Sequence, residues 1–176
     1  MNRKTIAIDM DNVIADTATQ FINLYEKYYG VRMLAASIAG LPEHEAFPDN
    51  AVRKFIHLPD FFRTIPVMPG AQQAVKQLMQ YMDVYIVSAA IEYPHSLTEK
   101  YEWLKEHFPF ITWRNIIFCG DKSIVNTDYM IDDYVKNLDG CKGKTYLYTA
   151  GHNVNIDYPR RVNNWEEVVE VILKDF

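Results

Sequence analysis

The sequence predicts an α/β fold: an open parallel sheet wrapped by helices, with a mainly helical subdomain inserted after the first strand. Three observations lead there. Short apolar runs recur without polar alternation, as in strands covered on both faces. Segments with helical spacing lie between those runs, which makes βαβ units. The stretch between the first run and the second is far longer than a simple crossover needs.

The elements follow in order. Thr5-Ile6-Ala7-Ile8-Asp9 reads as the first buried strand. Phe21 to Tyr29 reads as a helix, and loop-like text holding Gly40, Pro42, Pro48 and Pro59 comes after it. This stretch is an inserted cap subdomain, roughly residues 17–67, dividing a core made of 1–16 and 68–176. Ala71 to Tyr81 follows Pro69-Gly70 and puts Ala71, Ala74, Val75 and Leu78 on one helical stripe. Val84-Tyr85-Ile86-Val87-Ser88 is the second strand. Ser96 to His107 carries Leu97, Tyr101 and Leu104 at helical spacing. Asn115 to Phe118, Tyr129 to Ile131 and Lys144 to Tyr148 are the third, fourth and fifth strands. Trp165 to Lys174 closes the chain as a helix, with Val168, Val169 and Ile172 together and Asn164 as its N-cap.

Composition narrows the function. The 176 residues suit one domain, or one with a small insertion. Apolar residues at 49% and charged residues at 23% exclude a disordered chain or a low-complexity linker. Eighteen Lys+Arg against 23 Asp+Glu leave a net charge of −5, so a nucleic-acid polymer is not an expected partner. No apolar run approaches the ~18 residues of a membrane helix, and no membrane partner is expected. The N-terminus starts basic and turns apolar, but Asp9 and Asp11 cut the run short of the ~7–15 residues of a secretory signal. Cys119 and Cys141 make no disulfide framework, so the cytoplasm is the expected compartment.

Open parallel sheets bind ligands outside the carboxyl ends of their strands. Here those ends carry Asp9-Met10-Asp11, then Ser88, then Lys122 shortly after the third strand, then Asp132-Asp133. Each has an ordinary use alone: a turn, a helix cap, a surface lysine. A calcium loop starting at Asp9 fails, because Ile14 and Gln20 stand where Gly and Glu are needed. Agreement of four separate strand ends singles out a site. Clustered carboxylates raise one another's pKa unless a cation sits among them. Oxygen ligands without His or Cys suit Mg²⁺. Lys122 and Ser88 would then hold an oxygen-rich anion, and a phosphoryl group fits. A carboxylate can attack phosphorus, while metal, ammonium and hydroxyl stabilise the charge on its oxygens.

Taken together, Asp9-Met10-Asp11-Asn12-Val13, Ser88, Lys122 and Asp132-Asp133 resemble the four motifs of the haloacid-dehalogenase (HAD) superfamily. Within it the chain resembles the 5′(3′)-deoxyribonucleotidases. The further signs are Val13-Ile14-Ala15-Asp16, Phe61-Phe62-Arg63, Pro66-x-x-Pro69-Gly70-Ala71, Glu99-Lys100-Tyr101-x-Trp103-Leu104 and Tyr129-Met130-Ile131. The resemblance implies a HAD-like Rossmannoid core of three α/β/α layers. It implies Asp9 as nucleophile, and Asp11 as acid for the departing ester oxygen and then base for water. It implies Mg²⁺ held by the Asp9 carboxylate, the Asp11 carbonyl and Asp133, with Asp132 orienting Lys122 or a bound water. It implies Ser88 and Lys122 on the phosphate of a small phosphomonoester, a deoxynucleoside monophosphate.

Three departures touch the substrate more than the chemistry. Similar nucleotidases carry Gly in place of Asn12, often a hydroxyl in place of Ala89, and an aromatic in place of Thr17. Phe55, Phe61 and Phe62 are the cap aromatics available for a base, at ~1–3 kcal/mol per stacked ring, though two of the three are expected in the cap core. Tyr93 and His95 follow Ser88 and could line the entrance. A sugar-phosphate phosphatase, a non-catalytic phosphate binder and a phospho-receiver domain are the alternatives. The receiver fits poorly, because here the lysine precedes the acidic pair. Oligomeric state stays open.

Overall fold

The computed structural model describes residues 3–175. Within them, six strands form one parallel sheet: β1 (Thr5–Asp9), β2 (Asp83–Ser88), β3 (Ile116–Phe118), β4 (Tyr129–Asp132), β5 (Lys144–Tyr148) and β6 (Arg161–Val162). Their order is β3-β2-β1-β4-β5-β6. The chain runs outward from β1 to β3, then returns to lay β4 on the other side of β1. The sheet therefore switches direction at β1, where a ligand crevice opens beyond the strand ends.

Continuous apolar strands are explained by burial on both faces. Ile6 and Ile8 point into a large core shared with α5 (Ala71–Leu78), α6 (Ser96–His107) and α8 (Trp165–Lys174). Ala7, Val87, Met130 and Leu147 point the other way, into a smaller core with Leu138 of α7 (Val135–Asp139). Asn164 caps α8 as expected, its side chain accepting the Glu167 N–H at 2.9 Å. β6 has two residues, too short to read as an apolar run. Arg161 anchors it by donating to Asn153 Oδ1 at 2.9 Å. The α6 stripe is turned from the expected one: Ser96, Lys100, Trp103 and Leu104 are buried, while Tyr101 is 40% exposed.

The insertion after β1 holds α1 (Thr17–Tyr29) and three one-turn helices where loops were expected: α2 (Ala35–Ile38), α3 (Glu43–Ala46) and α4 (Ala51–Phe55). Asp16 starts α1 by accepting the Thr19 N–H at 3.0 Å, and Gly30, at φ 70°, ends it. Phe21, Tyr25, Phe47, Phe55 and Phe61 pack the insertion into the same core as Ile6 and Ile8. The two chain segments linking it to the sheet run side by side, with Asp16 N–H donating to Pro66 O at 2.7 Å and Met68 N–H to Ile14 O at 2.8 Å. Glu99 of α6 then grips its last turn, accepting the N–H groups of Asp60 and Phe62 at 2.9 Å each.

Candidate active site

Asp9 ends the central strand. The chain then turns sharply: Met10 O accepts the Ile14 and Ala15 N–H groups at 3.0 and 2.9 Å, and Asn12 adopts φ 56°. This loop sets Asp9 and Asp11 at the sheet edge. Lys122 arrives from the turn after β3, where Asp121 accepts the Ser123 N–H at 2.8 Å. Its Nζ lies 2.5 Å from Asp9 Oδ1 and 2.7 Å from Asp132 Oδ2, and all three residues are buried. Asp132 Oδ1 accepts the Tyr134 N–H and Asn137 Nδ2 at 2.9 Å each. Both oxygens of Asp132 are thus engaged in holding Lys122 and the start of α7.

Lys100 stands in the Glu99-Lys100-Tyr101 motif with no role expected of it, yet it belongs to this group. It is 4% exposed, with Nζ 2.5 Å from Asp11 Oδ2, 3.0 Å from Ser88 Oγ and 4.9 Å above the centre of the Phe62 ring. A signal existed: Lys100 shares the buried α6 stripe with Trp103 and Leu104, where a charge needs a partner. His152 has no metal-ligand spacing in the sequence, yet it lies beside Asp133. It stacks on Tyr134 with ring centroids 4.2 Å apart, and its Nε2 sits 3.1 Å from the Asp133 carbonyl.

Asp9, Asp11, Ser88, Lys122, Asp132 and Asp133 therefore meet around one edge. The three phenylalanines are placed differently. Phe55 packs on Tyr28 and Tyr29, and Phe61 packs between Phe21 and Phe62. Of the three, Phe62 is the one that reaches a site residue, through Lys100. Tyr93 and His95 stand with His57 beside it; His95 Nε2 lies 2.7 Å from Ile56 O, tying α6 to the insertion.

Charge crowding shows in the protonation equilibria. Burial pushes the Asp9 carboxyl up to about 7, against the pull of Lys122 and with further push from Asp132 and Asp11. Burial, then Asp9 and Asp132, drive Asp133 well above the carboxylate range. Burial works against the Lys122 ammonium, but Asp9 and Asp132 outweigh it and hold its pKa above the ordinary lysine value.

These residues fit a divalent cation. Ligand oxygens of Asp9, Asp132 and Asp133 lie within 4.8 Å of one another. Asp132 is already committed. Among the described residues, the hydrogen bonds and ion pairs to the carboxylates of the other two fall on Asp9 Oδ1 and Asp133 Oδ2. That leaves Asp9 Oδ2 and Asp133 Oδ1 without such a partner among the described residues, and a hard oxygen-only set matches Mg²⁺ chemistry. No helix of the described residues is long and apolar enough to cross a membrane.

The fold recurs in solved structures. A haloacid dehalogenase-like hydrolase from Streptococcus pneumoniae superposes with TM-score 0.63 at 14% identity, covering 97% of this chain and 98% of that one. YfnB of Bacillus subtilis, solved bound to magnesium, superposes with TM-score 0.61 at 14% identity over 98% and 100% of the two chains. These likenesses show that the chain has the α/β fold of HAD-like hydrolases. At sequence level, the family described as 5′ nucleotidase, deoxy (pyrimidine), cytosolic type C matches residues 3–175. A chain from Staphylococcus aureus (strain MRSA252) is 42% identical over 98% of this chain and 97% of its own length. The 5′(3′)-deoxyribonucleotidase of Bacillus subtilis (strain 168) is 37% identical over 97% of this chain and 99% of its own. The chain belongs to this deoxyribonucleotidase family.

Proposed function

We propose that the protein is a Mg²⁺-dependent phosphatase of deoxynucleoside monophosphates that works through a phosphoryl group on Asp9. The carrying observation is the seating of Asp9: one oxygen on Lys122 at 2.5 Å, inside a buried carboxylate cluster completed by Asp132 and Asp133. Lys122 points the carboxylate and neutralises charge on the phosphoryl oxygens. Asp9 attacks phosphorus and the ester P–O bond breaks. Asp11, 31% exposed in its side chain where Asp9 is buried, can reach the departing oxygen and give it a proton. It then takes a proton from the water that attacks phosphorus, releasing Asp9 and inorganic phosphate. Ser88 and Lys100 supply a hydroxyl and a second ammonium for the phosphoryl oxygens. Asp9, Asp133 and the Asp11 carbonyl would hold Mg²⁺, which adds positive charge where the equatorial oxygens gather it.

Residues 17–67 serve as a cap that shields the intermediate from bulk water and admits the nucleoside. The substrate class rests on the family and on the named activity of the Bacillus relative. Two unpaired cysteines and the family description support a cytoplasmic setting. A phosphate-release panel over deoxy- and ribonucleotides, sugar phosphates and p-nitrophenyl phosphate, with and without Mg²⁺, tests all of this. Mg²⁺-dependent release from deoxynucleoside monophosphates that vanishes in Asp9→Asn is the expected result; full activity in Asp9→Asn would overturn it.

A further inference from the structure

Asn12 neither titrates nor attacks, yet its amide is fully engaged. Oδ1 accepts the Ala18 N–H at 3.1 Å. Nδ2 donates to Glu43 Oε1 at 3.0 Å and to Asp133 Oδ2 at 3.2 Å. The residue is 5% exposed. One NH₂ thus spends its two protons on carboxylates from distant parts of the chain. Asp133 follows β4 at the site, and Glu43 belongs to α3 in the insertion.

The segment around Glu43 buries Ile38, Ala46 and Phe47 in the large core. Gly40 N–H donates to Gly151 O at 2.7 Å, and a Cβ on Gly40 would strike the Asn155 side chain. Beneath it lies a cavity of about 30 Å³ lined by Asn12, Ala18, Ile38, Glu43, Phe47 and His152, room for about one water. The contact is close but not filled.

We infer that Asn12 is a positioning residue that couples cation uptake at Asp133 to the seating of residues 35–47 through Glu43. By fixing Asp133 Oδ2, the amide presents Oδ1 to the ion. By standing between Asp133 and Glu43, it bridges the two carboxyl groups. A cation beside Asp133 puts positive charge across the Asn12 amide from Glu43, so the loaded site holds the segment more firmly. Coupling is reciprocal, so a seated segment also favours the cation. The inference rests on the reading of Asp9 and Asp133 as the cation site.

The test uses full-length protein without turnover: Mg²⁺ affinity by titration calorimetry, and hydrogen exchange of residues 35–47 with and without Mg²⁺. Asn12→Gly removes the amide while accepting the φ of 56°, so the loop is kept. Its Mg²⁺ Kd should rise about tenfold or more, as for other groups that orient a ligand. Exchange in 35–47 should lose its response to Mg²⁺. Glu43→Ala should also abolish that response, and adding it to Asn12→Gly should weaken Mg²⁺ binding no further. Variants that match the wild type on both readouts overturn the coupling and leave the cation site standing. A wild type that takes up no Mg²⁺ overturns the reading of the site itself.

Discussion

Lys100 and Asp11 form an ion pair of 2.5 Å at the mouth of the site, although one sits on α6 and the other just past β1. The same ammonium lies 3.0 Å from Ser88 Oγ. Lys100 thus sets an ammonium between the Ser88 hydroxyl and the Asp11 carboxylate, within reach of a phosphoryl group bound there. Lys100→Ala should lower kcat/KM for a nucleoside monophosphate by ~10²–10³, the usual loss of one preorganised partner of developing charge. Steady-state kinetics with circular dichroism to confirm folding measures it; a loss under threefold would remove Lys100 from the chemistry.

The division of labour between the two motif carboxylates gives a second prediction. Asp11→Asn keeps the Asp9 nucleophile but removes the proton carrier, worth ~10²–10⁴ in rate. With p-nitrophenyl phosphate the leaving group departs with little help from an acid, while hydrolysis of the intermediate still needs a base. Rapid-quench experiments on Asp11→Asn should show a burst of p-nitrophenol and a phosphorylated protein that decays slowly. Equal slowing of both steps, with no burst, contradicts this assignment.

The raised carboxyl of Asp9 sets a pH dependence. Folded Asp9 titrates near 7, against 3.8 ordinarily, so between those values the folded chain binds a proton that the unfolded chain does not. That contribution to stability is full below 3.8 and is lost as pH rises through 7. Asp133 shifts in the same direction. In EDTA, Tm should therefore fall between pH 5.5 and pH 8. Mg²⁺ replaces the proton, so the Tm gained on adding Mg²⁺ should grow over the same range. Scanning calorimetry at both pH values decides; a Tm in EDTA that climbs steadily to pH 8 refutes it.

Much of this was legible in sequence because chemistry and topology coincide. Asp9, Ser88, Lys122 and Asp132-Asp133 end or follow strands, and a parallel sheet gathers strand ends at one edge. Apolar strands announced themselves through two-faced burial. The role of Lys100 was hidden because the stripe of Leu97, Tyr101 and Leu104 leaves it facing out, whereas the buried stripe is Ser96, Lys100, Trp103 and Leu104. β6 was hidden because two residues make no pattern. The partners of Asn12 were hidden because contacts with Glu43 and Asp133 span 31 and 121 positions, and nothing local encodes them. Phe55 and Phe61, by contrast, are buried for a reason the sequence contained: an insertion of one-turn helices needs large rings to fill its share of the core.

Lys122 offers the sharpest separation of stability from catalysis. Its ammonium is the shared partner of two buried carboxylates, Asp9 and Asp132. Lys122→Met keeps the length of the side chain but leaves both acids facing each other without a cation. Removing one member of a buried pair costs ~3–5 kcal/mol. Urea unfolding in EDTA near pH 8, where Asp9 is ionised, should show a loss of that size. The loss should shrink at pH 5.5, where a proton can settle on Asp9, and shrink again in Mg²⁺. Activity should stay low in every condition, because Mg²⁺ replaces the charge but not the contact with the phosphoryl oxygens. Wild-type stability in Lys122→Met at pH 8 without metal would mean the three side chains do not hold one another as the geometry requires.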